Sequence, residues 1–227
     1  MTKENSSIAS AKDPKIANKI LVVIDTQVDF VMSDGALPVH GAERILRPGI
    51  DMLTKLDASE YAAVLFTFDT HSPKEYLGSL ENIGDPGHNV PGFPLHCDKE
   101  TPGWENVFNP RLVPADIPIF QLEKTVFDMW EKPSEETLVY EMPRDRPGNS
   151  FPAIGRERDS FFDHILPSRV DTADIIGVAA DFCVKDAIAG FLRRGMKVRV
   201  HRDITAGILR DIDQTVADEF PGLVEIL

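Results

Sequence analysis

The stretch GVAADFCVKDAIAGFLRRG, residues 177–195, passes from one kind of periodicity to another within a few residues. The apolar run from Ile175 to Ala180 reads as a buried strand. Val184, Ala187, Ile188 and Phe191 then fall at i, i+3, i+4 and i+7, the spacing of one helix face. Gly195 stands where a helix ends. One of only two cysteines, Cys183, occupies the joint.

Working outward, the same strand–helix alternation recurs. Ile20–Asp25 (ILVVID) is a continuous apolar run that stops at an acid, as suits a parallel strand buried on both faces. Residues 42–56 carry a helical pattern interrupted near Pro48. Ala62–Phe68 predicts a second strand ending before Asp69, and Pro118–Glu123 a third ending before Lys124. Ile175–Ala179 is the fourth strand, Lys197–His201 the fifth and Leu223–Leu227 the sixth, with helices expected at 181–194 and 208–219. Strands alternating with helices imply a mostly parallel sheet covered on both faces. Residues 70–117 form a long irregular excursion, and loops of that length inside a domain are usually functional. Residues 131–160, polar and proline-rich, read as a second inserted excursion.

Composition narrows the function. A chain of 227 residues fits one domain, and 42% hydrophobic residues supply a normal core. A formal charge of −13 argues against nucleic acid or an anionic membrane as partner. No apolar run is long enough to span a bilayer. Residues 1–18 read as a flexible polar leader rather than a signal peptide, so the cytosol and reduced thiols are expected.

Ligands in open α/β sheets bind beyond the carboxyl ends of the strands. Those ends carry Asp25, Asp69, Lys124 and Cys183. A helix N-terminus and a nearby cation both favour a thiolate. Asp25 could take the thiol proton and return it to a leaving amine. Backbone N–H groups at the strand–helix turn could hold an oxyanion. Each residue alone has a bland explanation; a lone helical Cys is most often a small buried hydrophobe. The joint placement is what points to chemistry. A further set, Asp69 and His71 in DTH with His96 in FPLHC, pairs a carboxylate with two imidazoles. That donor set suits Zn²⁺ or Fe²⁺, with Mn²⁺ possible.

IDTQVDF at 24–30, LEKTVF at 122–127 and GVAADFCV at 177–184 resemble the isochorismatase-like cysteine hydrolases, over a span from about Ile20 to the C-terminus. The resemblance implies a catalytic triad of Asp25, Lys124 and Cys183, an oxyanion hole at the N–H groups of Ala179 and Cys183, and a cis bond at Val178–Ala179. It implies a single Rossmann-like α/β domain with a mostly parallel six-stranded sheet, order 3-2-1-4-5-6, helices on both faces, and self-association into a homo-oligomer. DTH, FPLHC, TPGWE at 101–105 and DITAGI at 203–208 are similar to the nicotinamidase branch. That branch implies a divalent metal, zinc first, on Asp69, His71 and His96. Glu81 is the expected fourth ligand, with Glu75 and His88 as rivals. Phe30 and Phe93 would clamp a substrate ring, and the reaction would convert nicotinamide to nicotinate and ammonia through a thioester. The run TVFDMWEKP after Lys124 departs from the branch, which leaves open whether Phe127 and Trp130 line the pocket or pack the sheet. Two other readings stay open: an amidohydrolase of the same superfamily acting on a different small amide or carbamoyl compound, and a non-catalytic binding protein on the same fold. A flavodoxin-like nucleotide binder is disfavoured, since no Gly-rich phosphate loop follows the first strand.

Overall fold

Alternate residues of the first strand, β1 (Lys19–Ile24), point into two different cores. Ile20, Val22 and Ile24 join Leu65, Leu122, Val184, Ile188 and Phe191 on one side. Leu21 and Val23 join Val64, Phe66, Ile45, Leu53 and Phe108 on the other. A strand buried on both faces has no polar side to spare, which is why its sequence is an unbroken apolar run.

The computed structural model describes residues 16–84, 91–142 and 155–227. Residues 1–15, most of the expected leader, and His88 lie outside the described residues. The remaining strands are β2 (Tyr61–Asp69), β3 (Ile119–Lys124), β4 (Leu138–Glu141), β5 (Arg156–Glu157), β6 (Thr172–Val178), β7 (Lys197–Ala206) and β8 (Val224–Ile226). They form one sheet in the order β5-β4-β3-β2-β1-β6-β7-β8. The six expected strands are present in their expected order and are all parallel to their neighbours within that set. The strand count is corrected from six to eight. The excursion after Lys124 folds back as β4 and β5, antiparallel at the β3 edge. Both strands are short, β5 is charged and forms the sheet edge, and neither has the apolar run that marks β1, β2, β3 and β6.

Helices cover both faces. Cys183–Arg193 and Ile212–Glu219 pack on the Ile20 side, and Leu46–Thr54 on the Leu21 side. Pro48 lies in the first turn of Leu46–Thr54, where its missing N–H has no intrahelical partner to lose. Asp211 opens the last helix with a capping box closed by Gln214. That helix starts four residues later than the sequence pattern suggests, because β7 runs on to Ala206. No helix among the described residues is long and apolar enough to cross a membrane.

Candidate active site

Three parallel strands and one helix converge on the site. Asp25 follows β1 with a left-handed backbone (φ 45°), a conformation that costs a non-glycine residue energy. Lys124 ends β3 and pairs in register with Asp69 at the end of β2. Cys183 is the first residue of helix Cys183–Arg193, which follows β6. The bond Val178–Ala179 is cis, as the motif implies.

The structure brings the three expected triad residues together, all buried. Lys124 Nζ lies 2.7 Å from Asp25 Oδ2, 3.4 Å from Cys183 Sγ and 3.4 Å from Asp69 Oδ1. Asp25 Oδ1 also accepts from the Thr67 hydroxyl at 2.6 Å, which fixes the carboxylate beside Lys124. Burial pushes that thiol well above its ordinary pKa; Lys124 opposes the rise, and Asp25 and Asp69 add to it. Burial also disfavours charge on Lys124, yet Asp25 and Asp69 together hold its pKa well above the usual lysine range. The N–H groups of Ala179 and Cys183 make no backbone hydrogen bond among the described residues. Both groups flank the strand–helix turn, where the motif resemblance expects an oxyanion hole.

A second constellation shares a carboxylate with the first. Asp69, His71, Glu81 and His96 offer ligand atoms that lie within 4.8 Å of one another, all on buried residues. His71 Nε2 and His96 Nε2 both face Asp69 Oδ2, at 3.1 and 3.0 Å. Glu81 Oε2 is 3.1 Å from His71 Nε2, and Glu81 Oε1 is buried without a hydrogen-bond partner among the described residues. His96 Nδ1 lies 2.8 Å from the Pro94 carbonyl, which assigns the ring proton to that nitrogen. Its Nε2 meets the same Asp69 oxygen as His71 Nε2, so two imidazole nitrogens and two carboxylates converge on one point, the donor set a divalent cation takes. Burial disfavours the ionised form of Asp69, but Lys124 and the two imidazoles hold its pKa well below the ordinary range. The residues thus fit a divalent metal. Of the two rivals, Glu75 is exposed and accepts from Ser72 Oγ at 2.8 Å, away from the cluster.

The first motif, IDTQVDF, works at every second position. The Gln27 amide donates to the Asp69 carbonyl and accepts from the Asp69 N–H, each at 2.8 Å, fixing that residue at both backbone groups. Asp29 Oδ2 accepts from the Cys97 N–H at 2.7 Å, tethering the segment that carries His96. Phe30 packs its ring 5.1 Å from that of His96. Phe93 joins Phe127 and Phe182 in a cluster of three phenyl rings, 5.3–6.0 Å apart. Trp130 instead packs on Phe162 and Phe191, against Gly190, where any Cβ would collide with the indole. Phe127 therefore stands beside Phe182, the residue before Cys183, and Trp130 is packing.

Reading by motif passes over several residues of the site. Thr67 donates to Asp25 Oδ1 at 2.6 Å and accepts from the Asp25 N–H. The signal for it was available: a polar residue two before Asp69 on an otherwise apolar strand, hence on the same face. Gln27 and Tyr76 had no such signal, because their roles arise from contacts across the fold.

No protein-family model matches the chain. It is 26% identical over 202 residues to the nicotinamidase/pyrazinamidase of Mycobacterium tuberculosis, covering 88% of this chain and 93% of that protein. Among solved structures it shares the fold of a Pyrococcus horikoshii pyrazinamidase in complex with zinc, with a TM-score of 0.61, 22% identity, and 92% and 98% of the two chains covered. It likewise superposes on N-carbamoylsarcosine amidase from Thermoplasma acidophilum, with a TM-score of 0.59, 20% identity, and 92% and 95% covered. The resemblance read from the motifs is borne out over nearly the whole chain. These relatives are amidohydrolases, and one was crystallised with zinc.

Proposed function

We propose that this protein is a metal-dependent cysteine amidohydrolase that converts nicotinamide to nicotinate and ammonia. The observation that carries the reading is Asp69: one oxygen faces the lysine of the Cys183 triad, and the other faces two imidazoles of the metal group. A nucleophile and a cation site one carboxylate apart suit a substrate with an amide at one end and a basic nitrogen at the other.

Asp69, His71, Glu81 and His96 would hold the ion, with zinc the first choice for this nitrogen and oxygen set. When bound, the ion supplies a Lewis-acid anchor for the pyridine nitrogen, which orients the carboxamide. Phe30 and Phe93 enclose the ring. Asp25 accepts the Cys183 proton as the sulfur attacks the amide carbon. The N–H groups of Ala179 and Cys183 receive the charge that develops on oxygen. Protonated Asp25 then donates to the leaving nitrogen, releasing ammonia and leaving a thioester on Cys183. Asp25 next takes a proton from water as that water attacks the thioester. Collapse releases nicotinate, and the proton on Asp25 returns to the sulfur. Lys124 stays charged throughout and holds Asp25 against Cys183.

Ammonia release from nicotinamide, before and after chelation and after zinc restoration, tests this directly. Release that chelation stops and zinc restores supports the reading. Zinc binding without nicotinamide turnover discards nicotinamide and leaves another small amide or carbamoyl compound as substrate.

A further inference from the structure

Tyr76 is buried, and no step of the proposed chemistry uses it. It ends a one-turn helix, Pro73–Tyr76, and its ring meets both imidazoles of the metal group edge-on. The centroid distances are 4.6 Å to His71 and 5.3 Å to His96. Its hydroxyl donates to the Phe93 carbonyl at 3.2 Å and lies 3.4 Å from His96 Nδ1.

Phe93 is a node in this region. Its N–H donates to the Glu81 carbonyl at 2.8 Å, and its carbonyl also accepts from Asn82 Nδ2 at 3.4 Å. One residue later, the Pro94 carbonyl accepts the His96 Nδ1 proton. A single phenol therefore braces His71 through its ring, His96 through ring and turn, and the Glu81 backbone through Phe93. A buried hydroxyl is costly without a partner, so its bond to Phe93 fixes where the ring can sit.

We propose that Tyr76 is a positioning residue that sets the affinity of the metal group and the seat of Phe93. The inference rests on reading Asp69, His71, Glu81 and His96 as a metal site. Partners one shell out from a metal ligand typically govern affinity by about 10–100-fold. Replacing the hydroxyl alone tests the tether; replacing the ring tests the brace.

The experiment titrates zinc against a competing chelator in the wild type, Tyr76→Phe and Tyr76→Leu, with the cobalt-substituted visible spectrum recorded for each. The expected dissociation constant rises about tenfold in Tyr76→Phe and about a hundredfold in Tyr76→Leu. The cobalt bands should shift in Tyr76→Leu and recover most of the way in Tyr76→Phe. Tyr76→Phe preserves the packing, so the test survives if Tyr76→Leu fails to fold. Zinc affinity within twofold of wild type in Tyr76→Phe, with unshifted cobalt bands, overturns this inference alone. A wild type that binds no zinc overturns the metal reading and this inference together.

Discussion

Replacing Lys124 with Met isolates the charge at the centre of the site while keeping most of its volume. Lys124 is fully enclosed, with Asp25 Oδ2 at 2.7 Å and Asp69 Oδ1 at 3.4 Å. Thr67 still bonds Asp25 Oδ1 in the variant, but Oδ2 loses its cation. Breaking a buried pair by removing one partner costs about 3–5 kcal/mol, because the other charge stays buried. Against a total stability of about 5–15 kcal/mol, that is a large share. For a chain of this size it corresponds to a fall in Tm of about 6–20 °C. The assay is thermal and denaturant unfolding of zinc-loaded protein at a fixed metal concentration. Asp25→Asn combined with Lys124→Met removes the stranded charge and should recover part of the loss. The coupling between the two sites should exceed about 1 kcal/mol. Lys124→Met that unfolds within about 1 kcal/mol of wild type, or a double variant no more stable than it, would refute the assignment of a buried ion pair.

Three further outcomes follow from other parts of the molecule. Cys183→Ala should release no ammonia from nicotinamide while losing only about 1 kcal/mol of stability, since it removes one small buried group; measurable steady-state turnover would sink the nucleophile assignment. Gly177→Ala should lose at least about 3 kcal/mol or fail to accumulate, because Gly177 has φ +124° and its Cβ would lie 2.0 Å from the Ile24 carbonyl oxygen on the central strand; soluble protein of wild-type Tm would contradict this. At the opposite end of the sheet, buried Asp174 accepts from Arg199 at 2.7 and 2.5 Å and from Tyr61 at 2.6 Å. Burial opposes its charge, but His201, Arg199 and Tyr61 hold its pKa well below the carboxylate range. A depressed folded-state pKa adds stability above the unfolded value near 4, lost as pH falls toward the folded value. Asp174→Asn should therefore cost about 2 kcal/mol at neutral pH, a gap that closes in strong acid, with kcat and KM unchanged; a pH-independent difference would count against the pairing.

How far the sequence reading carried depends on where each element sits. β1, β2, β3 and β6 were legible because burial on both faces demands apolar runs, and these runs lead to Asp25, Asp69, Lys124 and Cys183 at the rim, whereas β7 was read from the alternation of Lys197–His201 and β8 as a short final strand. β4 and β5 were not legible, because Leu138–Glu141 and Arg156–Glu157 are short, only partly buried antiparallel strands that carry no such run. β7 was cut short at His201 because Arg202 and Asp203 are exposed before the strand re-enters the core at Ile204. The resemblance called for a His or Glu from the loop between His71 and His96, with Glu81 in GSLEN chosen over Glu75 and His88, and the structure brings Glu81, not Glu75, to the two imidazoles. Tyr76 and Gln27 were illegible for a different reason. Each acts on backbone or ring atoms of residues distant in sequence, and no local spacing encodes that.

The topology explains why the cation is a lysine on β3. The chain lays down β1, β2 and β3 in one direction, then places β6 on the other side of β1. The crevice opens at that reversal, between Asp25 after β1 and Cys183 after β6. Neighbouring strands are about 4.8 Å apart, so β3 lies about 10 Å from β1. A cation rooted on β3 must cross over β2 to reach Asp25, and only a long side chain spans that gap. It passes Asp69 on the way, its direct register partner, and ends in contact with both carboxylates and the sulfur. Arginine has the reach but spreads its charge over a planar fork. The compact ammonium of lysine can approach three groups from different strands at once. The same crossing makes Asp69 common to both constellations: it lies under Lys124 and beside the two histidines. The order of the strands therefore couples Cys183 to the cluster of Asp69, His71, Glu81 and His96 through one side chain.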